Sequence, residues 1–181
     1  MTSYLDLDAW ERREQFHVFR SYDRPFFNLC AEVEVGELVT ACRAPGGPSF
    51  FLAALWCSLK AANEVPEFHY RLRGDRVRVH EVIHAGCTVL TPQETFAFAY
   101  IDWSPDFDAF HRDGRREMDR ARQRGEMDPA DDRDDLVHTS TIPWVRFTGF
   151  AHARTTNPAD SVPKIVFGRF GPSPSGMAMP V

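Results

Sequence analysis

His80-Glu81-Val82-Ile83-His84 is the most chemically suggestive spacing in the chain, because it matches the H-E-x-x-H pattern of zinc hydrolases. On a helix the two imidazoles share a face and grip one ion, and the glutamate activates a zinc-bound water. The surroundings here point to another geometry. Arg76 to His80 reads as a strand, Val82 and Ile83 are β-branched, and Gly86 follows closely. On extended backbone His80 and His84 share a face but sit too far apart to chelate one ion, so no metal is expected. The remaining histidines, His17, His69, His111, His138 and His152, have no sequence context that marks a general base. The four cysteines, Cys30, Cys42, Cys57 and Cys87, lack Cys-x-x-Cys spacing. A thiol nucleophile would need a neighbouring histidine and an electropositive setting. The cysteines read instead as reduced, mostly buried thiols of a cytoplasmic protein.

The elements that must position any site follow from the hydrophobic pattern. A first helix is expected from about Asp8, with Asp8 as cap and Glu11 completing a capping box. Phe27 to Val35 alternates as a half-buried strand, and Gly36 to Ala44 fits a short helix. Ser49 reads as the cap of an apolar helix reaching Asn63. After Pro66, Glu67 to Arg73 and Arg76 to His80 form a hairpin about Gly74-Asp75. Cys87 to Thr91 and Thr95 to Asp102 are strands, the second with Phe96, Phe98 and Tyr100 on one face. Ser104-Pro105 opens a long charged helix that stops at Gly125. Glu126 to Leu136 is acidic and reads as a solvated loop. Three strands close the chain: Trp144 to Arg154, Lys164 to Phe170 (its expected neighbour in the sheet), and one from Met177. Clustered strands interrupted by helices predict an α+β fold, a two-layer sandwich of a mixed β-sheet with packed helices.

Composition excludes several classes. A chain of 181 residues with 43% hydrophobic and 26% charged residues is an ordinary globular balance, read as one domain spanning 1–181. A net charge of -5 argues against a broad nucleic-acid footprint. The longest apolar run, Phe50 to Cys57, is far too short to span a bilayer, and Met1 to Trp10 lacks the pattern of a signal peptide. Fifteen phenylalanines and four tryptophans suggest pockets lined by rings, suited to flat or apolar ligands.

Ile142 to Phe150 ties these readings together. Alternation places Val145, Phe147 and Gly149 on one side and Arg146, Thr148 and Phe150 on the other. This Pro143-Trp144-Val145-x-Phe147-x-x-Phe150 stretch, with Trp10 to Phe16, Pro66-Glu67-Phe68, Glu94-Thr95-Phe96, Asp106-Phe107 to Phe110, Phe167-Gly168-Arg169-Phe170, Gly176 and Met179-Pro180, resembles the chloramphenicol acetyltransferase family in order along nearly the whole chain.

The resemblance implies a homotrimer with active sites between subunits. Each site joins one tunnel for acetyl-coenzyme A, the co-substrate, to another for a small hydroxyl-bearing acceptor such as chloramphenicol. The family's general base is a histidine of a His-His-x-x-x-Asp-Gly motif, and a serine on the Pro-Trp strand stabilises the oxyanion. Two departures follow. The chain ends at Val181 before that motif, so a truncated gene lacking the last strand, loop and helix is expected, and the chain as given is expected to be inactive. Gly149 stands at the serine position, and Thr148 points to the opposite face. Arg12 matches an arginine that supports the motif's aspartate; alternatively it is a solvated helix residue. Phe19, Phe27 and Phe96 match acceptor-lining positions; alternatively they are ordinary core. A non-catalytic binding or assembly module is the other reading of the chain.

Overall fold

Helix boundaries follow local chemistry in the computed structural model, which describes residues 3–127, 133–155 and 160–181. The chain opens with β1 (Ser3–Tyr4), α1 (Arg13–Arg20), β2 (Glu32–Glu34), α2 (Gly36–Arg43) and α3 (Phe50–Glu64). A 3-10 turn at Pro66–His69 leads to β3 (Tyr70–Arg73), β4 (Arg76–Val79), β5 (His84–Leu90), β6 (Phe96–Ile101) and α4 (Phe107–Arg124). The last elements are β7 (Leu136–Thr141), β8 (Lys164–Phe167), β9 (Gly171–Ser173) and β10 (Gly176–Pro180). Ser49 caps α3 by accepting from Leu52 N–H, as its sequence position predicts. Gly125 ends α4 in the left-handed conformation at φ 72°, where a Cβ would be strained.

Two helix starts differ from expectation. α4 is capped by Asp106, whose carboxylate accepts from Asp108 and Ala109 N–H at 2.9 and 3.2 Å. Ser104 sits two residues earlier, accepting from Asp106 N–H. α1 begins at Arg13 rather than near Asp8, and its first position has no side-chain cap. Asp6, not Asp8, organises the preceding turn by accepting from Asp8 and Ala9 N–H.

The strands form three sheets, ordered β1-β4-β3, β2-β10-β9 and β6-β5-β7-β8. The four-stranded sheet is mixed: β6 is antiparallel to β5, while β7 runs parallel to both β5 and β8. Its inner face presents Ala85, Cys87, Val89, Ala97, Ala99, Ile101 and Val137, all buried under α3 and α4. This is the expected two-layer α+β arrangement. The opposite face carries the outward side chains of β6, and Phe96 and Phe98 meet edge-on there at 5.7 Å.

The strand expected at Trp144 to Arg154 is not formed. The strand beside β8 is β7, which begins at Leu136, within the stretch read as an acidic loop. Residues 128–132 of that loop lie outside the described residues. Proline explains the end of the ladder: Pro143 has no N–H to give, and the chain turns so that Val145 N–H donates to Ile142 carbonyl at 3.2 Å. Among the described residues, two further backbone bonds hold the segment to the region of β8, Ile142 N–H to Phe167 carbonyl and Arg169 N–H to Val145 carbonyl.

β7 is fixed from below by one buried cation. Arg71 on β3 is 1% exposed. Its guanidinium donates to the carbonyls of Phe68, Tyr70, Asp134 and Leu136 at 2.5 to 2.8 Å. Burial lowers its pKa to about 10, so it remains charged at neutral pH. Arg71→Met should cost about 2–4 kcal/mol in urea unfolding, because four carbonyls lose a charged donor. A loss under about 0.5 kcal/mol, the size of a neutral surface change, would contradict this role.

Candidate active site

Two clefts lie on either side of the segment that follows β7. The first, of about 570 Å³, is lined by Arg43 of α2, Phe50 and Phe51 of α3, Arg169 and Phe170 beyond β8, and Met177 and Met179 of β10, with Pro143 and Arg146 from the segment itself. The second, of about 290 Å³, takes Phe147, Phe150 and His152 from the same segment. Across from them stand Phe27, Leu29 and Cys30, with Lys164, Ile165 and Val166 of β8. Residues 143–152 therefore form the wall between two ligand-sized spaces.

The wall is held at close quarters. A Cβ at Gly168 would lie 2.6 Å from Pro180 Cγ and 2.8 Å from Phe147 Cε1, so only glycine lets both rings rest on this backbone. Arg146 donates to Glu32 Oε1 at 2.9 and 2.5 Å and to Pro172 carbonyl at 2.8 Å, tying the wall to β2 and β9. The Phe147, Phe150 and His152 rings follow one another at 5.6 and 5.7 Å. Gly149 lies in this wall, and a Cβ there would meet no described atom within 4 Å.

The first cleft is cationic and aromatic. Phe50 and Phe170 meet at 4.8 Å, and the Arg43 guanidinium sits 6.0 Å from the Phe170 ring centroid. Arg146 is committed to Glu32, whereas Arg43 and Arg169 have no carboxylate partner among the described residues. Such a cleft suits a phosphorylated ligand with an apolar or amide arm.

The sequence-derived site residues separate. Phe27 lines the second cleft and is 85% exposed. Phe19 on α1 and Phe96 at the start of β6 lie on other surfaces of the chain, 55% and 46% exposed, so the alternative reading as ordinary core does not hold for any of the three. Arg12 pairs with Glu67 at 2.6 Å, which ties the start of α1 to the 3-10 turn. Lysine and arginine positions in the clefts escaped sequence reading, since Arg43, Arg169, Arg154 and Lys164 converge only through the fold.

The H-E-x-x-H residues serve different carboxylates. His80 Nε2 lies 3.0 Å from Asp134 Oδ1. His84 Nδ1 accepts from Trp103 N–H at 2.9 Å, and its Nε2 lies 3.8 Å from Asp135 Oδ2. The pair thus straps the hairpin and β5 to the residues just before β7. His111 Nε2 accepts from Ser49 N–H at 3.0 Å and joins α4 to the start of α3. Burial pushes the Cys87 thiol up to about 12, which removes it as a nucleophile at neutral pH.

Comparison with known proteins gives this geometry its class. The structure resembles that of a dihydrolipoamide acetyltransferase of Azotobacter vinelandii, with a TM-score of 0.62 at 14% identity over 84% of this chain and 69% of that one. That likeness is one of fold. A solved chloramphenicol acetyltransferase superposes with a TM-score of 0.89 at 29% identity, covering 99% of this chain and 87% of that one. The sequence is 31% identical to the chloramphenicol acetyltransferase of Streptomyces acrimycini over 150 residues, 81% of this chain and 67% of that protein. It is 25% identical to chloramphenicol acetyltransferase 2 of Escherichia coli over 179 residues, 98% of this chain and 84% of that protein. The family profile described as chloramphenicol acetyltransferase matches residues 2–181, and the chain belongs to that family.

The histidines predict an acid-sensitive fold. Burial pushes His80, His84, His138 and His152 below the ordinary histidine range, and nearby carboxylates offset this only in part at His80 and His84. Burial also raises Asp135, but Arg133 at 3.1 Å outweighs it and holds the carboxyl low. The unfolded chain therefore binds more protons than the folded one below about pH 6.5. The stability present above that pH should fall as pH drops through the lowered histidine values, and fall again as Asp135 protonates. Urea midpoints should decline from neutral pH towards pH about 5, less steeply in His84→Gln. A flat profile would contradict the assignment.

Proposed function

We propose that this chain is the scaffold of an acetyl-coenzyme A-dependent O-acetyltransferase, with coenzyme A in the first cleft and a small hydroxyl acceptor in the second. The observation that carries the reading is the shared wall of residues 143–152, across which two ligands could meet. Family membership supports the reaction class. Arg43 and Arg169 would meet coenzyme A phosphates, and Phe50 and Phe170 its apolar surface. Phe27, Phe147 and Phe150 would hold a small, partly apolar acceptor, chloramphenicol being the one named by the relatives.

In the transfer, the acceptor hydroxyl oxygen attacks the thioester carbonyl carbon while a base takes its proton, and the coenzyme A thiolate leaves. The 181 residues contain no His-His-x-x-x-Asp-Gly, the family motif that supplies this base. At Gly149 the wall also lacks the hydroxyl that would stabilise the oxyanion. We read residues 1–181 as a single domain, with a cytoplasmic location where acetyl-coenzyme A is available. The exposed Phe19, Phe27 and Phe96 would be covered on assembly, with neighbouring subunits completing each acceptor site in a homotrimer.

The test is thiol release from acetyl-coenzyme A with chloramphenicol as acceptor. The 181-residue chain should stay at background, since a positioned base is worth about 100- to 10,000-fold. Appending a family-type C-terminal segment with the histidine motif should restore transfer. Gly149→Ser should then raise it, by up to about 100- to 1,000-fold if the hydroxyl reaches the oxyanion. Robust turnover by the unextended chain would place the base within these residues and overturn the histidine argument. Sedimentation of the extended chain should give a trimer, and a monomer at high concentration would contradict the assembly.

A further inference from the structure

Two basic side chains face the same two carboxylate oxygens where β5 enters the main sheet. Arg133 Nη2 donates to Asp102 Oδ1 at 3.2 Å and to Asp135 Oδ2 at 3.3 Å, and its Nε donates to Asp135 Oδ1 at 3.1 Å. His84, the first residue of β5, looks onto the same pair. Its Nδ1 lies 3.3 Å from Asp102 Oδ1, and its Nε2 lies 3.8 Å from Asp135 Oδ2. Asp102 follows β6, and Arg133 and Asp135 precede β7; these are the charged groups that act on the ring. From α3 the uncharged Asn63 bonds both the N–H and the carbonyl of Ile83. His84 N–H donates to Asp135 carbonyl at 2.8 Å. The backbone around the ring is therefore fixed, and any exchange there is one of side chains.

A neutral ring and a protonated one need different partners. In the structure His84 Nδ1 accepts from Trp103 N–H at 2.9 Å, which uses the lone pair on that nitrogen. An imidazolium has no lone pair and two N–H donors. Nδ1 must then give up Trp103 N–H, and its nearest carboxylate acceptor is Asp102 Oδ1. Nε2 has Asp135 Oδ2. Those are the two oxygens that Arg133 Nη2 holds, and the like charges repel. Trp103 itself stays anchored, because its ring packs on Trp56 and Phe110 at 5.7 and 6.2 Å.

We propose that His84 and Arg133 exchange on the Asp102 and Asp135 carboxylates, so that one proton taken up at His84 unfastens the Arg133 strap ahead of β7. The device is independent of what the clefts bind. Its charges act in the required sense. Burial lowers the His84 pKa most, Asp102 and Asp135 raise it, and Arg133 lowers it again. Arg133 on the pair opposes the proton, so by linkage the proton opposes Arg133. Burial raises Asp135, but Arg133 outweighs it, and the carboxylate stays ionised while histidines titrate. Arg133 thus holds the pair at neutral pH, and His84 takes it below the ordinary histidine range.

The experiment is an NMR titration of the isotope-labelled 181-residue chain from pH about 7.5 to about 5, the span in which histidine changes charge. It follows the His84 ring, the Trp103 amide and the Arg133 Nε–H, with circular dichroism reporting the fold. All three signals should move with one midpoint, below about pH 6.5, while the dichroism is unchanged. In Arg133→Gln the His84 midpoint should rise, because the competitor is gone, and in Asp102→Asn it should fall. In His84→Gln the pH response of the Arg133 Nε–H should vanish. An Arg133 signal that stays flat through the His84 transition would overturn the exchange, because repulsion alone shifts a midpoint without moving the guanidinium. An Arg133 response that survives in His84→Gln, or a His84 midpoint unchanged in Arg133→Gln, would also overturn it. So would loss of the fold before His84 titrates, since no folded acid form would then exist.

Discussion

The buried guanidinium of Arg71 is the contact on which the site depends. A charged group that is 1% exposed is tolerable only if its donors are satisfied, and here they are met by carbonyls from the turn before β3 and from the start of β7. Around it Asp134 gathers Arg73 and His80, while Asp135 gathers Arg133 and lies within reach of His84. These contacts set where β7 enters the sheet, and parallel pairing with β5 and β8 sets its direction. Everything after Thr141 inherits that placement, including the wall between the clefts.

The wall then acts through close packing and one ion pair rather than through a regular ladder. Gly168 admits Phe147 and Pro180 directly onto its backbone, and Arg146 pins the same segment to Glu32. Because Pro143 stops the ladder, the segment is free to present Arg146 to one cleft and Phe147, Phe150 and His152 to the other. β10 is divided in the same way: Met177 and Met179 line the first cleft, and Val181 the second. A thioester on one side and a hydroxyl on the other would meet near this wall.

Much of the helical frame is legible in the sequence, because caps are local. Ser49 and Gly125 mark helix ends through bonds or dihedral angles that involve only their neighbours. Gly74, at φ 55°, marks the β3–β4 turn for the same reason. β7 is not legible, because its inward positions combine Val137 with the hydroxyl-bearing Thr139, which is buried at 2% exposure, so no apolar alternation announces it. Trp144 to Arg154 shows the converse error: the alternation is real, but a proline without a donor decides the backbone. The Pro143 to Phe150 stretch nevertheless marks the wall, and Phe27 is found at the second cleft. Arg43, Arg169 and Arg154 carry no local mark, since the clefts they line are assembled from segments far apart in the chain.

The most direct measurement is a map of backbone amide shifts as coenzyme A is titrated into the chain. Coenzyme A in the first cleft would perturb Phe50, Phe51, Arg169 and Phe170, with the wall at Arg146 responding and Leu29, Cys30 and Arg154 unmoved. Perturbation centred instead on Leu29, Cys30 and Arg154, or spread over neither cleft, would contradict the division of the two clefts between co-substrate and acceptor.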